Sequence, residues 1–576
     1  MQETAQRSVY RVAVLSAVGV GVGAAASAAA IGFVELIALI NDVLLISPHA
    51  RIQYEETPNL VIAATLLVPA AGGILVALVI RYGIAEGRAL GPPDAILAVQ
   101  TGADPPSVRS GLASTAAALA SLGCGASVGQ YGPLVYLGTL IGQLAARLRF
   151  GLHDLQSIAI ACGVAAAIST AFNAPIAGII FAHEVILRHY SLRAFAPVTV
   201  ASAVGYILAN VVFERAPLFL VQFDGVRHGY EFILFAVVGV AGALIAVAFM
   251  RLLMASGRLA ARVPLPDLLK PGLAGLVLGL IALELPEILG IGKEALRFAT
   301  IEGAFGIGEL AALVIAKIFV TVMCVGFGFV GGVFSPALLI GVLFGALAGT
   351  TVGAVIPELY SGVAVYAVCG MTAVFSPVIG APLTAIMIVF ELTRSYDLTI
   401  AAMVAVVFSN LAANRMFGRS LFDMQLASRG FDLSLGRDRA ILRNSRITAL
   451  GDMSVPTADP DEPLADALSR LYRTGRGEAP VVDADGIYHG LLRAGSGTDA
   501  ATDARVRDAI SGQGLVFDET TTLWDALERM RAFVGDAAAV VDSRDRRFQG
   551  AVTEAAVIGA YLDTIQILRR EENAAL

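Results

Sequence analysis

Long apolar runs, several of them broken in the middle by glycine and proline, set the limits on what this chain can become. An α-helix rises 1.5 Å per residue, so about 20 mostly apolar residues cross a bilayer. Runs of that order lie near 11–42, 59–81, 110–147, 158–187, 194–213, 231–255, 269–290, 308–349, 361–392 and 398–417. Several are long enough for two helices or a broken pair. The first run follows a short leader with Arg7 and Arg11. The apolar run continues well past a short core and further spans follow, so it reads as a span rather than a signal peptide. With 57% hydrophobic and 15% charged residues, the expected fold is a polytopic all-α membrane protein.

A repeat organises the apolar part. The stretch "GPLVYLGTLIG" (132–142) parallels "SPALLIGVLFG" (335–345), with glycines five and nine residues after the proline in each. Further on, "APIAGIIFAHE" (174–184) parallels "APLTAIMIVFE" (381–391), each with a glutamate nine residues after the proline. Matched landmarks in the same order, built on interrupted helices, point to inverted-topology repeats with a transport site near mid-membrane. As single motifs, the glycines are also ordinary packing residues of membrane helices.

The character changes near residue 430. Residues 1–430 hold 23 basic and 23 acidic side chains, and residues 431–576 hold 17 and 24. The acidity belongs to a soluble tail and argues against nucleic acid as a partner. The tail has its own repeat: "LADALSRL" (464–471) with "LWDALERM" (523–530), and "VVDADG" (481–486) with "VVDSRD" (540–545). Each unit reads as a helix, a short β run, a turn and another β run, giving a pair of α/β modules. Cys124, Cys162, Cys324 and Cys369 are scattered in apolar segments; they read as small buried hydrophobes, with no metal or disulfide pattern. No HExxH helix, nucleophile turn, P-loop or metal cluster is read here as the mark of an enzyme.

Unwound backbone survives at membrane depth only where it is buried in protein or lines a cavity. Its N–H groups, and the helix N-termini behind it, carry partial positive charge suited to a desolvated anion. The breaks are rich in glycine and proline and poor in acidic residues, which favours anions over alkali cations.

On these motifs the chain, over roughly residues 60–430, resembles the CLC family of chloride channels and proton-coupled anion antiporters. "GFVGGVFSPALLIG" is similar to the family's G-x-F-x-P segment, with Gly332, Phe334 and Pro336 in place. "FNAPIAGIIFAHEV" (172–185) and "GAPLTAIMIVFELT" (380–393) are close to family patterns, and the tail resembles the CBS pair of many members. The resemblance implies a transmembrane domain over 1–430 and a cytoplasmic tandem CBS domain over 431–576, with modules near 445–500 and 505–565. It also implies a homodimer in the lipid bilayer with one pore per subunit. It places the anion pathway at Leu90, Gly91, Pro92, Gly129, Gln130, Tyr131, Gly132, Pro133, Gly332, Val333, Phe334, Ser335, Pro336 and Phe422.

The departures shape the functional expectation. Where the family has a gating glutamate in G-K/R-E-G-P, this chain has Tyr131. A tyrosine titrates near a pKa of about 10 and does not cycle a proton at neutral pH. Antiporters have a second, inner glutamate directly after the position of Glu184; here it is Val185. The two family hydroxyls at the central anion correspond to Leu90, in "ALGPP", and Phe422, in "RSLFDMQL". The expectation is a passive, proton-uncoupled channel or transporter for chloride-like monovalent anions. Its site would lean on backbone N–H groups from 91–93, 129–133 and 332–336, with weak chloride binding and easier passage of less hydrated anions. Tyr131 would act as a hydroxyl donor to the anion, as a ring plug, or as a mere filler. Rival readings are a non-conducting or differently selective member, or a membrane sensor signalling through its tail. Glu184, Glu391, Lys317 and His183 read as structural, because a buried charge needs a partner. CBS pairs bind adenine nucleotides with an aspartate three residues after a Ser or Thr; Thr553 is present but Ala556 holds the aspartate position. Poor nucleotide binding, and no other cofactor, is expected. The expected location is the plasma (inner) membrane, and the soluble tail and short N-terminus favour both ends in the cytoplasm.

Overall fold

The computed structural model describes residues 2–54, 56–101, 106–148, 155–213, 225–357, 360–433, 436–450, 455–495, 504–512, 514–533, 535 and 537–573. The chain divides into two units, one up to Ser428 and one over Arg429–Asn573.

The long apolar runs do split where glycine and proline interrupt them. The first half contains α1 (Gln2–Val43), α2 (Pro58–Gly83), α3 (Pro92–Thr101), α4 (Val108–Gly123), α5 (Tyr131–Ala146), α6 (Leu155–Phe172), α7 (Pro175–Phe181) and α8 (Leu192–Ile207). A π-helical turn, Ala182–Leu187, continues α7, and another, Leu208–Val212, continues α8. The second half repeats the order: α9 (Glu231–Arg262), α10 (Lys270–Ala282), α11 (Lys293–Phe298), α12 (Ile307–Gly326), α13 (Phe334–Val355), α14 (Val363–Ile379), α15 (Pro382–Thr393) and α16 (Tyr396–Met416). Helix α17 (Leu421–Ala427) follows. Apart from a short helix over Pro48–Gln53 in the first half, each of these helices has its counterpart eight places on.

Local sequence explains the joints. Helix α4 is capped by Ser107, whose Oγ accepts from the Ser110 N–H at 3.1 Å, and α16 by Ser395 in the same way. The turn from α6 into α7 passes through Asn173 at φ 59°, and that from α14 into α15 through Gly380 at φ 76°. Both are helix-ending left-handed residues, and the prolines that follow, Pro175 and Pro382, occupy first-turn positions where a missing N–H costs nothing.

Helices α6 and α14 are buried nearly all round, at the centre of each half. Helix α5 lies on α6 and α13 lies on α14. The glycines that follow the two prolines permit this: a Cβ at Gly138 would strike the Gly163 carbonyl, and one at Gly341 would strike that of Gly370. Backbones that approach so closely gain dispersion where water provides no driving force. Eight helical stretches among the described residues are long and apolar enough to cross a bilayer. Large apolar side chains such as Leu67, Val237, Leu244, Ile315 and Phe319 stand exposed on their outer faces, as a lipid-facing surface requires.

Buried charges are paired within the protein. Lys317 Nζ donates to the carbonyls of Ile288 and Gly290 at 2.8 and 2.9 Å. The Glu231 carboxylate accepts from Ser361 N, Ser361 Oγ and Tyr366 Oη.

In the tail, α18 (Arg437–Asn444) precedes two modules. The first has α19 (Leu464–Arg473) and the antiparallel strands β1 (Glu478–Val482) and β2 (Tyr488–Arg493). The second has β3 (Val516–Asp518), α20 (Leu523–Met530), β4 (Ala538–Val541) and β5 (Phe548–Val552), in sheet order β3-β4-β5, followed by α21 (Glu554–Asn573). The β turns of the two modules pair: Tyr488 N donates to Arg546 O, Phe548 N donates to Gly486 O, and the Tyr488 and Phe548 rings stack at 6.2 Å. This is the helix–strand–turn–strand pair that the tail repeat predicts.

Candidate functional site: the junction of two helix N-termini

The two breaks meet each other. Gly129 N donates to Gly332 O at 2.6 Å and Gly332 N donates to Gly129 O at 2.7 Å, an antiparallel exchange between equivalent residues of the two halves. Only glycine allows it: a Cβ at Gly332 would lie 2.8 Å from Gly132 N, and one at Gly129 would lie 2.8 Å from Gly332 O. Immediately beyond, α5 starts at Tyr131 and α13 at Phe334, so two positive helix ends converge on one buried region.

Neither cap residue, Gln130 nor Val333, caps its helix with a side chain. The helical ladders begin with Leu134 N donating to Gln130 O and Ala337 N donating to Val333 O. Pro133 and Pro336 have no N–H. The amides of Tyr131, Gly132, Phe334 and Ser335 therefore precede the ladders.

This corrects the expected donor set. The N–H groups of Gly129 and Gly332 are spent on each other. That of Gly91 goes to Asp94 Oδ2 at 2.9 Å and that of Leu90 to Ser114 Oγ at 3.1 Å. Pro92 and Pro93 carry none, so the segment 91–93 offers no backbone donor. The reason is elementary: backbone polar groups buried in apolar surroundings take the nearest partner, and here it is the opposite break or a local carboxylate. Asp94, the acidic residue next to these segments, is held by Arg88 at 2.6 Å.

Tyr131 is 4% exposed and stacks on Phe172 with ring centroids 4.0 Å apart and 21° between planes. Phe334, its counterpart in the second half, lies 5.1 Å away, and Phe334 in turn touches Phe172, Phe181 and Phe375. The phenol is thus one ring of a five-ring cluster at the junction. Three of the five rings, Phe172, Phe181 and Phe375, come from segments that the sequence does not place beside "GQYGP".

Helix α3 gathers the remaining segments. It packs on α5, on the turn Ala182–Leu187 that carries Val185, and on α17, which carries Phe422. Leu90, Val185 and Phe422 are all buried, and none offers a hydroxyl or carboxylate. Gln100 Nε2 ties α3 to the carbonyls of Ile186 and Leu187 at 2.9 and 2.7 Å. Arg188 holds Asp423, next to Phe422, at 2.6 Å.

The repeat-related glutamates have a different task. Glu391 accepts from the N–H groups of Ile176 and Ala177 at 2.9 and 2.7 Å, at the start of α7. Glu184 accepts from Leu383 N, Thr384 N and Thr384 Oγ1 at 2.7–2.9 Å, at the start of α15. Each half's carboxylate caps the other half's helix, which makes both structural. His183 Nδ1 lies 3.1 Å from His189 O, and its ring stacks on Tyr190. Gly125-Ala126-Ser127-Val128-Gly129 matches the letters of a nucleophile turn, but Ser127 Oγ is buried and bonded to Thr321 Oγ1 at 3.1 Å. Among the described residues no cluster of metal-ligating side chains is found.

A sequence profile described as "Voltage gated chloride channel" matches residues 72–414. The chain belongs to this family. A CBS domain profile matches residues 450–495, and the second module repeats the same helix and hairpin. Among relatives, a putative chloride channel protein ClcB-like of Ralstonia nicotianae is 30% identical over 368 residues, covering 63% of this chain and 86% of its own. The H(+)/Cl(−) exchange transporter ClcA of Vibrio cholerae is 30% identical over 323 residues, 54% of this chain and 67% of its own. The solved structure of a slow cyanobacterial Cl−/H+ antiporter superposes with a TM-score of 0.64 at 22% identity, covering 72% of this chain and 97% of that one. A eukaryotic CLC transporter gives 0.64 at 18% identity, over 95% and 98%. The architecture is the CLC fold, and the chain is a multi-pass membrane protein of an anion channel and transporter family.

Proposed function

We propose that this member is a passive, proton-uncoupled pathway for chloride-like monovalent anions, with Tyr131 in the place of a gate. The observation that carries the reading is the junction itself. Two helix N-termini meet in a region whose segments, 129–133 and 332–336, hold no acidic side chain, and a phenol stacked on Phe172 and tilted against Phe334 occupies it. The amides of 131, 132, 334 and 335 attract an anion. Leu90, Gly91, Pro92, Gln130, Val333 and Phe422 form the walls. Neither Tyr131 nor Val185 exchanges a proton near neutral pH, so nothing at those two positions ties anion movement to protons. Two copies associate as a homodimer through exposed apolar residues near the reciprocal caps, including Ile176, Phe195, Leu383 and Leu411. The protein resides in the plasma membrane with its tail in the cytoplasm. Full-length protein in liposomes, with chloride and proton movement recorded together, tests the reading. Chloride efflux without uphill proton movement is the expected result; stoichiometric proton pumping down an imposed chloride gradient overturns it.

A further inference from the structure

We infer that the Ser335 hydroxyl donates to the transported anion and favours strongly hydrated monovalent anions over weakly hydrated ones. This rests on the anion-pathway reading above. Ser335 is 3% exposed, and its Oγ has no hydrogen-bond partner among the described residues. A buried hydroxyl without a partner is costly and asks for an explanation.

Serine and threonine within the helices of this protein usually solve the problem by donating four residues back. Thr139 donates to Val135 O, Thr393 to Val389 O and Thr399 to Ser395 O, at 2.7–2.9 Å. Ser335 sits in the first turn of α13, where the preceding residues are Gly331 and Gly332, and the Gly332 carbonyl already accepts from Gly129 N. Serines in neighbouring segments are also occupied: Ser121 Oγ accepts from Val330 N at 2.9 Å, and Ser127 pairs with Thr321.

The position is the junction of the two breaks. A side chain at Gly129 would come within 3.0 Å of Ser335 N. Its counterpart in the first half is Gly132, so at this position only the second half carries a hydroxyl. An anion at the ends of α5 and α13 is an acceptor in reach of that region, and the neighbouring carboxylate, Asp94, is taken up by Arg88 and Gly91 N. The expectation of weak chloride binding counted hydroxyls only at positions 90 and 422; the second half supplies one elsewhere. An O–H donor offsets dehydration most for an anion that holds its water tightly, so it selects chloride over thiocyanate or nitrate.

The test uses full-length protein in liposomes and the chloride-to-thiocyanate flux ratio, with chloride binding by calorimetry and thermal stability in detergent. Ser335→Ala should weaken chloride binding about tenfold or more and shift the ratio toward thiocyanate by a similar factor. Its thermal midpoint should not fall, because no protein partner is lost. Ser335→Thr should restore most of the chloride preference. Ser335→Gly serves if the alanine variant does not fold. Unchanged chloride binding and an unchanged ratio in Ser335→Ala overturn the inference, as does a lowered midpoint with both unchanged. If the parent itself moves no anion, the transport reading fails; chloride binding to the solubilised parent and Ser335→Ala then decides the role of Ser335 separately.

Discussion

Replacing Tyr131 by alanine should open the junction. The ring stacks on Phe172 at 4.0 Å and tilts against Phe334 at 5.1 Å. Each aromatic pair contributes about 0.5–1.5 kcal/mol beyond simple burial. An anion that must displace the ring to pass therefore meets roughly 1–3 kcal/mol of lost stacking, equivalent to about 5- to 150-fold in rate. Tyr131→Ala removes that barrier, and flux in liposomes should rise within this range. The same truncation empties a packed aromatic site and should cost about 3–5 kcal/mol of stability, read as a lower thermal midpoint. Tyr131→Phe keeps both stacks and loses only the hydroxyl; it should conduct like the parent if the ring is a plug. A fall in anion affinity in Tyr131→Phe would instead assign the hydroxyl to coordination. Tyr131→Glu puts a titratable group at the junction and should bring pH-dependent flux without full antiport, since Val185 still lacks a carboxylate. Parent-like rate, selectivity and pH response in all three variants would refute the reasoning, because Tyr131 would then stand off the pathway.

Three further outcomes follow from the hydrogen bonding. Glu391→Gln replaces one of two accepting oxygens at the start of α7 by a donor, leaving an N–H of Ile176 or Ala177 unpaired; melting in detergent should show a loss of about 1–3 kcal/mol, and Glu184→Gln a similar one at α15. In the tail, the hydrogen bond from His489 at 2.7 Å holds Asp483 below the usual carboxylate range, and those from Thr520 and Thr521 do the same for Asp518. A lowered folded pKa contributes stability that is full above about pH 4 and lost as pH falls through the folded value; pepsin cleavage of the tail in the full-length protein should rise steeply over that acid range, and less steeply in Asp518→Asn. ATP should show no micromolar binding by calorimetry, because position 556 is alanine and Thr553 Oγ is already engaged as the acceptor for Ala556 N at 3.2 Å; micromolar affinity would contradict this.

The spans, the broken pairs and the two repeats were legible because they depend on periodic hydrophobicity and on Gly and Pro, which act locally. Lys317 and the two glutamates were readable as structural because a buried charge requires a partner. Their partners were not readable, since Glu184 and Leu383 are neighbours only once two distant halves are assembled. The donor set was misjudged for the same reason. Sequence marks Gly91, Gly129 and Gly332 as flexible backbone, but the assembled junction consumes the N–H groups of Gly129 and Gly332, and Asp94, three residues on, takes that of Gly91. The five-ring cluster draws Phe172, Phe181 and Phe375 from separate helices, and no spacing rule connects them to Tyr131.

The pseudo-symmetry separates scaffold from function. Where the halves agree, the residue does a structural job: Gly129 and Gly332 lock the breaks together, Gly138 and Gly341 let helices close, and Glu184 and Glu391 cap each other's half. Where the halves disagree at equivalent positions of the junction, the chemistry differs. Tyr131 faces Phe334, a phenol against a plain ring, and Gly132 stands opposite Ser335, nothing against a hydroxyl. A perfectly symmetric junction would present the same donors and the same rings to an anion from either half. The two substitutions break that equivalence in opposite directions: the first half supplies the ring with a polar tip, and the second supplies the small donor. Mutating a matched position should therefore change stability and leave anion selectivity in place, and mutating an unmatched one should change anion handling whatever it does to stability.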